Sequence, residues 1–301
     1  MLYDFCADHS FGDERVPSLA QAVFPEMASI FLKGTTLFRR KISEIIRHEL
    51  LRLTARFPFG ARCRCVICGT KVQFFLPYRQ GSRSIPPLLR ELRTVGSDPD
   101  HFECPACRCH DRERHAFMYL SALGLVEAWR NQSILHFAPE AHLRELIQNQ
   151  KPLRYICADI CPVDASVVKM SIEAISHEDE TFDFIIANHV LEHVENYPAA
   201  LREIHRCLKP GGYALLQVPY AESLHKTLED PGFETPLARL HAYGQEDHLR
   251  LFGRDVVEQF CISGLASCVR SHDELLPHVD AIEYGVNRAE SLMLFQKPLS
   301  R

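Results

Sequence analysis

Short apolar runs alternate with stretches of helical periodicity from Ser133 to the end of the chain. One run, "FDFIIANHV", is apolar almost throughout, as is typical of a strand buried on both faces. The predicted strands are "SILHF", "RYICADI", "SVVKMSI", "FDFIIANHV", "YALLQVPY", "LASCVRS" and "SLMLFQKP". Between them, the helical pattern falls on "APEAHLRELIQNQ", "NYPAALREIHRCLKPGG" and "GRDVVEQFCISGL". This alternation predicts a mostly parallel sheet with helices on both faces, which binds ligands at the carboxyl ends of its strands.

The chain before Ser133 shows a different organisation. Apolar residues from Leu37 to Leu53 recur at helical spacing opposite arginines, and "DRERHAFMYLSALGLVEAW" predicts one further helix. We expect the helix that ends in "LKPGG" to close at Gly211 and Gly212, with Pro210 stopping it. Three domains follow: a helical, basic segment at 1–58, a cysteine module at 59–115 and the α/β domain at 116–301.

Two cysteine pairs stand in the module, in "CRCVICGT" and "FECPACRC". Each CxxC turn offers two thiolates to one ion, and two such turns complete the tetrahedral set of a structural zinc site. The predicted ligands are Cys65, Cys68, Cys104 and Cys107. Alternative ligands are Cys63 and Cys109 beside the pairs and, more weakly, His110 and His115. Four buried thiols or two disulfides are the competing interpretations.

The first twenty residues lack the long apolar core of a secretory signal, and no run approaches the length of a membrane span. We therefore expect a reducing, cytoplasmic compartment, where structural disulfides are disfavoured.

Charge is unevenly distributed, although the net charge is only −5. Residues 33–93 contain 14 lysines and arginines against three acids, a net of +11, whereas the residues from 116 onward carry about −10. A basic front segment suggests an anionic partner, such as nucleic acid, an acidic substrate or a membrane surface. A solvated helix face is the equally simple alternative.

The segment "FDFIIANHVLEHVENYPAALREIHRCLKPGGYALLQVP" resembles the central block of class I S-adenosylmethionine-dependent methyltransferases. The resemblance runs from about Ser133 to the C-terminus. It implies a Rossmann-like, seven-stranded, mostly parallel sheet, preceded here by the zinc-ribbon-like module and the helical N-terminal segment. It also implies S-adenosylmethionine as cofactor, beside the structural zinc of the module.

The resemblance further assigns candidate cofactor residues. Where the family carries a glycine-rich loop, this chain has "HFAPE", so His136, Ala138 and Glu140 would face the methionine moiety. Asp159 matches the acid that accepts hydrogen bonds from the ribose. Met170 and Ser171 would lie beside the adenine, with Ser171 in place of the usual acid, and Asn188 would lie near the transferred methyl group.

A cluster of histidines forms the candidate catalytic group. His189, Glu192 and His193 would share one face of a helix begun by "VLEHV", and His248 could join them from a long loop at 220–253, which we expect to close over the substrate. The group resembles the ExxEH arrangement of metal-assisted O-methyltransferases, with His189 in place of the first glutamate. A histidine acting as general base and simple packing of the helix remain open as alternatives.

The sequence leaves three alternatives for the methyl acceptor. We expect an O or N nucleophile of a small metabolite or saccharide. Alternatives are RNA, because ribosomal-RNA methyltransferases with a zinc ribbon share this domain order, and an inactive cofactor-binding scaffold, because the glycine loop is missing. The oligomeric state stays open.

Overall fold

The computed structural model describes residues 49–56 and 59–299. The chain divides into two compact units, Met1–Thr54 and Ala55–Arg301. Of the predicted helical segment at 1–58, only residues 49–55 are both described and helical, so its basic character falls largely outside the described residues.

A seven-stranded sheet forms the centre of the second unit, in the order β10-β11-β8-β7-β4-β5-β6. Strands β6, β5, β4, β7 and β8 are mutually parallel, while β11 is antiparallel to both β8 and β10. The chain leaves β4 toward β5 and β6 and returns to β7 on the other side of β4, so the switch point in strand order lies between β4 and β7. The strands are β4 Ser133–Phe137, β5 Arg154–Asp159, β6 Val168–Lys169, β7 Phe182–Ala187, β8 Leu208–Leu215, β10 Ala266–Ser267 and β11 Leu294–Gln296.

Alternate residues of the central strands bury on opposite faces of this sheet. Ile134 and Phe184 pack on the face covered by the helices α2, α3 and α4, whereas Leu135 and Ile185 pack on the face covered by α5 and α7. Both faces are therefore apolar, as the continuous apolar runs predicted. These helices are α2 Asp111–Ala122, α3 Leu125–Ala128, α4 Ala141–Asn149, α5 Tyr197–Cys207 and α7 Val256–Cys261.

Two helix boundaries differ from the prediction. Helix α5 ends at Cys207 rather than at the glycines, because Leu208 is already extended and residues 208–215 form β8. The predicted helix over "DRERHAFMYLSALGLVEAW" is interrupted at Gly124, which has a φ of 68° and separates α2 from α3.

The cysteine module is a small hairpin and two tight turns. Strands β1 (Cys63–Arg64) and β2 (Lys71–Val72) pair antiparallel and bracket the first CxxC turn. The two turns repeat one geometry: the amide of Gly69 donates to the carbonyl of Cys65, and the amide of Arg108 to that of Cys104, with positive φ at both donors. Two short C-terminal helices, α8 His272–Leu275 and α9 Ala281–Tyr284, precede β11, and α9 contacts β1.

The stretch between the cysteine pairs joins the long segment after β8. Strands β3 (Thr94–Val95) and β9 (Tyr220–Ala221) pair antiparallel, and helix α1 (Pro87–Glu91) packs on helix α6 (Pro236–Tyr243). We call residues 86–95 and 220–251 the cap. It has its own buried residues, including Leu89, Tyr243 and Leu251, so the expected long loop is a packed layer.

Candidate active site

The loop after β4 turns sharply at Ala138, which has a φ of 46°. The amide of Ala138 donates to the carbonyl of Ala158, the penultimate residue of β5, at 2.9 Å. A positive φ is costly for a residue with a side chain, and glycine is the usual solution. This chain therefore makes the turn of the expected glycine-rich loop with an alanine.

Glu140 ties this loop to the end of β7. Its carboxylate lies 3.1 Å from Nε2 of buried His136 and accepts a hydrogen bond from Nδ2 of Asn188 at 2.6 Å. Arg112 lies 3.9 Å away. The structure thus brings His136, Glu140 and Asn188 together, and Oδ1 of Asn188 is buried without a partner among the described residues.

The ends of β5 and β6 carry the next candidates. Asp159 ends β5, half-buried, and one of its oxygens accepts a hydrogen bond from the amide of Cys161 at 2.7 Å. Met170 is buried and donates its amide to the carbonyl of Asp159, while the Ser171 hydroxyl accepts from the amide of Glu173. All these groups lie at the carboxyl edge of four neighbouring parallel strands.

His189 follows β7 in a strained turn and not in a helix, which corrects the prediction for "VLEHV". Its φ is 55°, and residues 188–196 form successive turns before α5 begins at Tyr197. The amide of His189 donates to the carbonyl of Gln217 at 2.8 Å. Its Nδ1 lies 3.3 Å from Oε1 of Glu192, and its Nε2 is buried with no hydrogen-bond partner in the described part of the chain.

The same turns bring Glu192 and His193 against His248 of the cap. Glu192, His193 and His248 each offer a ligand atom, and these atoms lie within 4.8 Å of one another. Burial raises the pKa of Glu192, but His189 and the other two imidazoles together lower it to about 2. Burial lowers the pKa of His248 to about 4, so the site pairs an ionised carboxylate with a neutral imidazole at neutral pH.

The cap holds these turns in place through Arg250, which is buried. Its guanidinium donates to the carbonyls of Leu191, Val194 and Glu195 and to the carboxylate of Glu229. The amide of Leu249 also donates to the carbonyl of Glu192. The backbone hydrogen bonds that a helix would make internally at 191–195 are thus made to the cap instead.

A family model described as "Methyltransferase domain" matches residues 95–260, which is more than half of the chain. The chain belongs to this family. It is a class I S-adenosylmethionine-dependent methyltransferase, and the seven-stranded sheet has the Rossmann-like architecture that the sequence predicted.

Solved structures that resemble the methyltransferase do so at low identity. The YcgJ protein from Bacillus subtilis is 17% identical, with a TM-score of 0.40 over 60% of this chain and 99% of that one. A 1,6-didemethyltoxoflavin-N1-methyltransferase from Burkholderia thailandensis, bound to its substrate and S-adenosylhomocysteine, is 16% identical, with a TM-score of 0.41 over 62% and 78%. An S-adenosylmethionine-dependent methyltransferase from Mesorhizobium loti is 12% identical, with a TM-score of 0.39 over 60% and 97%. Likenesses of this size carry no information about the acceptor, and no curated protein matches the sequence.

The thiols of the methyltransferase's cysteine module converge on one point. The Sγ atoms of Cys65, Cys68, Cys104 and Cys107 lie within 4.8 Å of one another, which suits a tetrahedral S4 site. Cys109 also lies in this cluster, with its Sγ 3.3 Å from that of Cys65. Hydrogen bonds with the neighbouring thiols lower the pKa of Cys104, which favours the thiolate that a metal requires.

The other alternative ligands lie elsewhere. Cys63 points its thiol at the carbonyls of Gln73 and Ile282, and His110 caps α2 in a capping box with Glu113. His115 lies in the second turn of the same helix and stacks on Tyr119, outside the thiol cluster. Among these alternatives, only Cys109 lies with the four sulfur atoms.

A second buried polar group, which the sequence did not predict, lies beside His189. Glu290, just before β11, lies 3.8 Å from Nε2 of His189 and 3.4 Å from Nδ1 of His115. Nε2 of His115 lies 2.9 Å from Nδ1 of His272. Glu290 is fully buried, and His115 and His189 help to hold its pKa below the ordinary value against the effect of burial. No local motif marks Glu290, which stands a hundred residues after the turn it contacts.

Within the described residues, no helix combines the length and apolar character needed to cross a bilayer.

Proposed function

We propose that the enzyme transfers a methyl group from S-adenosylmethionine to an O or N nucleophile of a small metabolite or saccharide, with His189 as the proton acceptor. The observation that carries this proposal is the buried Nε2 of His189, which lacks a hydrogen-bond partner among the described residues at the end of β7. A buried, unpartnered ring nitrogen is costly, and a substrate hydroxyl or amine would satisfy it.

The carboxyl edge of β4, β5, β6 and β7 fits the cofactor. Asp159 offers a carboxylate for the ribose, Met170 an apolar side chain for the adenine, and Ser171 a hydroxyl at the same edge. His136, Ala138 and Glu140 would form the wall toward the methionine moiety. The two hydrogen bonds that Glu140 already makes leave acceptor capacity on its carboxylate, because an ionised carboxylate has about four lone-pair sites.

Asn188 supports this assignment from the end of β7. Its side-chain nitrogen is held by Glu140, so the unpartnered Oδ1 is fixed in position to accept a hydrogen bond. When bound, the cofactor supplies a methyl group on a positively charged sulfur, and the protein's contribution is alignment and exclusion of water. Glu192, 3.3 Å from Nδ1 of His189, would orient the imidazole and stabilise its protonated form.

Burial favours a small acceptor over RNA. The side chains of His189 and Glu192 are 8% and 1% exposed, and His248, which belongs to the cap, is itself buried. A folded RNA would have to insert one nucleotide beneath this layer, whereas a metabolite needs no such rearrangement. The basic segment at 33–93 keeps RNA as the alternative acceptor, so RNA and an inactive scaffold enter as outcomes of the test.

We further propose that Cys65, Cys68, Cys104 and Cys107 hold one structural zinc ion. The four converging Sγ atoms and the two matched turns support it. Elemental analysis of the purified protein should find one zinc per chain at this cluster, and replacement of Cys104 by serine should release it.

The acceptor class can be tested by transfer of a tritiated methyl group into cell extract. Label should appear in the low-molecular-mass or saccharide fraction and survive ribonuclease. His189→Gln should lower incorporation by about 10²–10⁴-fold, as for loss of a general base, and the exposed His241→Gln should not. Ribonuclease-sensitive label would instead establish RNA as the acceptor, and no label with intact cofactor binding would favour the scaffold.

A further inference from the structure

A buried carboxylate without hydrogen-bond partners lies beside the proposed base. Glu192 is 1% exposed, and neither of its oxygens has a hydrogen-bond partner among the described residues. His189 approaches one oxygen to 3.3 Å without completing a hydrogen bond. Arg250 does not neutralise Glu192, because its donors are taken by Glu229 and by backbone carbonyls. Burying an ionised carboxylate in this way costs several kcal/mol unless a cation compensates it.

His248 presents a lone pair to the same point. Its Nδ1 lies 3.1 Å from the carbonyl of Tyr243, and a carbonyl only accepts, so Nδ1 carries the proton. Nε2 is therefore the unprotonated nitrogen, and it is buried with no partner in the described ranges. A backbone carbonyl that fixes the tautomer and the ring plane is the usual second layer of a metal-bound histidine.

His193 completes the set from the same turn as Glu192. Its ring lies edge-on to that of His248, with the centroids 4.7 Å apart, and its Nδ1 lies 3.3 Å from Oδ2 of Asp247. Asp247 and the Tyr243 carbonyl thus orient the two imidazoles from the cap, while the backbone of Glu192 is held by the amide of Leu249.

We propose that Glu192, His193 and His248 form a binding site for one divalent transition-metal ion, separate from the cysteine cluster. One ligand atom from each lies within 4.8 Å of the others, as three ligands of one ion must. Two imidazoles and one carboxylate favour a first-row transition ion over Mg²⁺ or Ca²⁺, which prefer oxygen ligands. Three protein ligands leave coordination positions open. If the proposed function holds, an acceptor oxygen would occupy one of them and its proton would become easier to remove.

Cobalt(II) distinguishes this site from the cysteine cluster, because thiolate ligands give it intense charge-transfer absorption and nitrogen and oxygen ligands do not. Elemental analysis of the full-length protein, with its cysteine cluster loaded with zinc, comes first. The protein is then dialysed against a weak chelator and titrated with Co²⁺. We expect either a resident second ion or uptake of one Co²⁺ per chain without a thiolate band.

The variants Glu192→Gln and His248→Asn should weaken this uptake at least tenfold while the zinc content stays at one per chain. Glu195→Gln and His241→Asn, exposed neighbours on the same two segments, are the matched controls and should bind like the wild type. Thermal denaturation checks that each variant is folded. The absence of both a resident second ion and Co²⁺ uptake in the wild type would overturn the site, as would unchanged affinity in a folded Glu192→Gln variant. These readouts do not depend on turnover, so they stand whatever the acceptor is.

Discussion

At the scale of single residues, Asp111 at the start of α2 is a buried carboxyl group with a raised pKa. It is buried, its Oδ2 accepts from the amide of Asp98, and its Oδ1 has no partner in the described part of the protein. Burial and the nearby charge of Glu290 raise its pKa from 3.8 to about 7. Between these two pKa values, the folded protein therefore retains a proton on Asp111 that the unfolded chain loses.

This linkage predicts the pH dependence of stability. Between about pH 4 and pH 7 the folded state binds more protons than the unfolded chain. The free energy of unfolding therefore falls as the pH rises, by up to about 1.4 kcal/mol per pH unit. The loss is complete above about pH 7. Asp111→Asn should flatten this slope. The free energy of unfolding of the variant should therefore fall less between pH 5 and pH 8 than that of the wild type. Urea denaturation of both proteins across this range measures it, with Glu127→Gln on α3 as control. A slope equal to the wild type's would show that Asp111 is not protonated in the fold.

The sequence predicted the position of a residue where a motif or a strand pattern fixes it, and did not where the contacts are remote in the chain. The two CxxC pairs and Asp159 at a strand end were readable from spacing and strand pattern. Glu290 was not, because its place beside His189 depends on β11 entering the sheet next to β8. The helical spacing of "VLEHV" was misleading, since the backbone there bonds to Arg250 and Leu249 of the cap.

At the scale of elements, a hydrogen bond joins the second cysteine turn to α4, the helix that follows the loop after β4. Nε2 of His142, in the first turn of α4, lies 2.8 Å from the carbonyl of Cys107. Glu113 of α2 accepts hydrogen bonds from the amides of His142 and Leu143. The cysteine module thus helps to position the amino end of α4 and, with it, the turn at Ala138.

We expect His142→Ala to leave zinc content unchanged and to weaken S-adenosylmethionine binding by about threefold to tenfold, the effect of losing one or two hydrogen bonds. Calorimetry and elemental analysis of the same preparation measure both quantities. The control is His177→Ala, in the connection between β6 and β7. Equal cofactor affinity in wild type and variant would show that the cysteine module does not help to position the cofactor site.

Gly285 tests how the C-terminal segment packs on the cysteine module. It follows α9 with a φ of 60°, and a Cβ there would lie 2.2 Å from Cδ2 of Phe75. Gly124 also has a positive φ but has open space around it. Both alanine variants carry the backbone strain of about 1 kcal/mol, and only Gly285→Ala should add a packing penalty of roughly 1–3 kcal/mol. Chemical denaturation should show this difference, and equal losses would mean that Phe75 moves aside freely.

At the scale of the second unit, the stretch between the cysteine pairs and the segment after β8 build the cap together, and the cap in turn holds the turns that carry Glu192 and His193. Sequence periodicity predicted the sheet, its flanking helices and the site edge, because these follow from strand pattern and chain order. It could not predict the cap, because β3 and β9 pair across more than a hundred residues and each is two residues long.

The carboxyl edge of β4 to β7 should bind S-adenosylmethionine through Asp159. Titration calorimetry with S-adenosylhomocysteine, which binds without reacting, tests it most directly on wild type, Asp159→Asn and the exposed Asp164→Asn. We expect one equivalent to bind the wild type and the control alike. Asp159→Asn should bind about 10–100-fold more weakly, since hydrogen bonds to a charged acceptor contribute about 1.5–3 kcal/mol. Absence of binding to the wild type, or equal affinity in Asp159→Asn, would contradict the account.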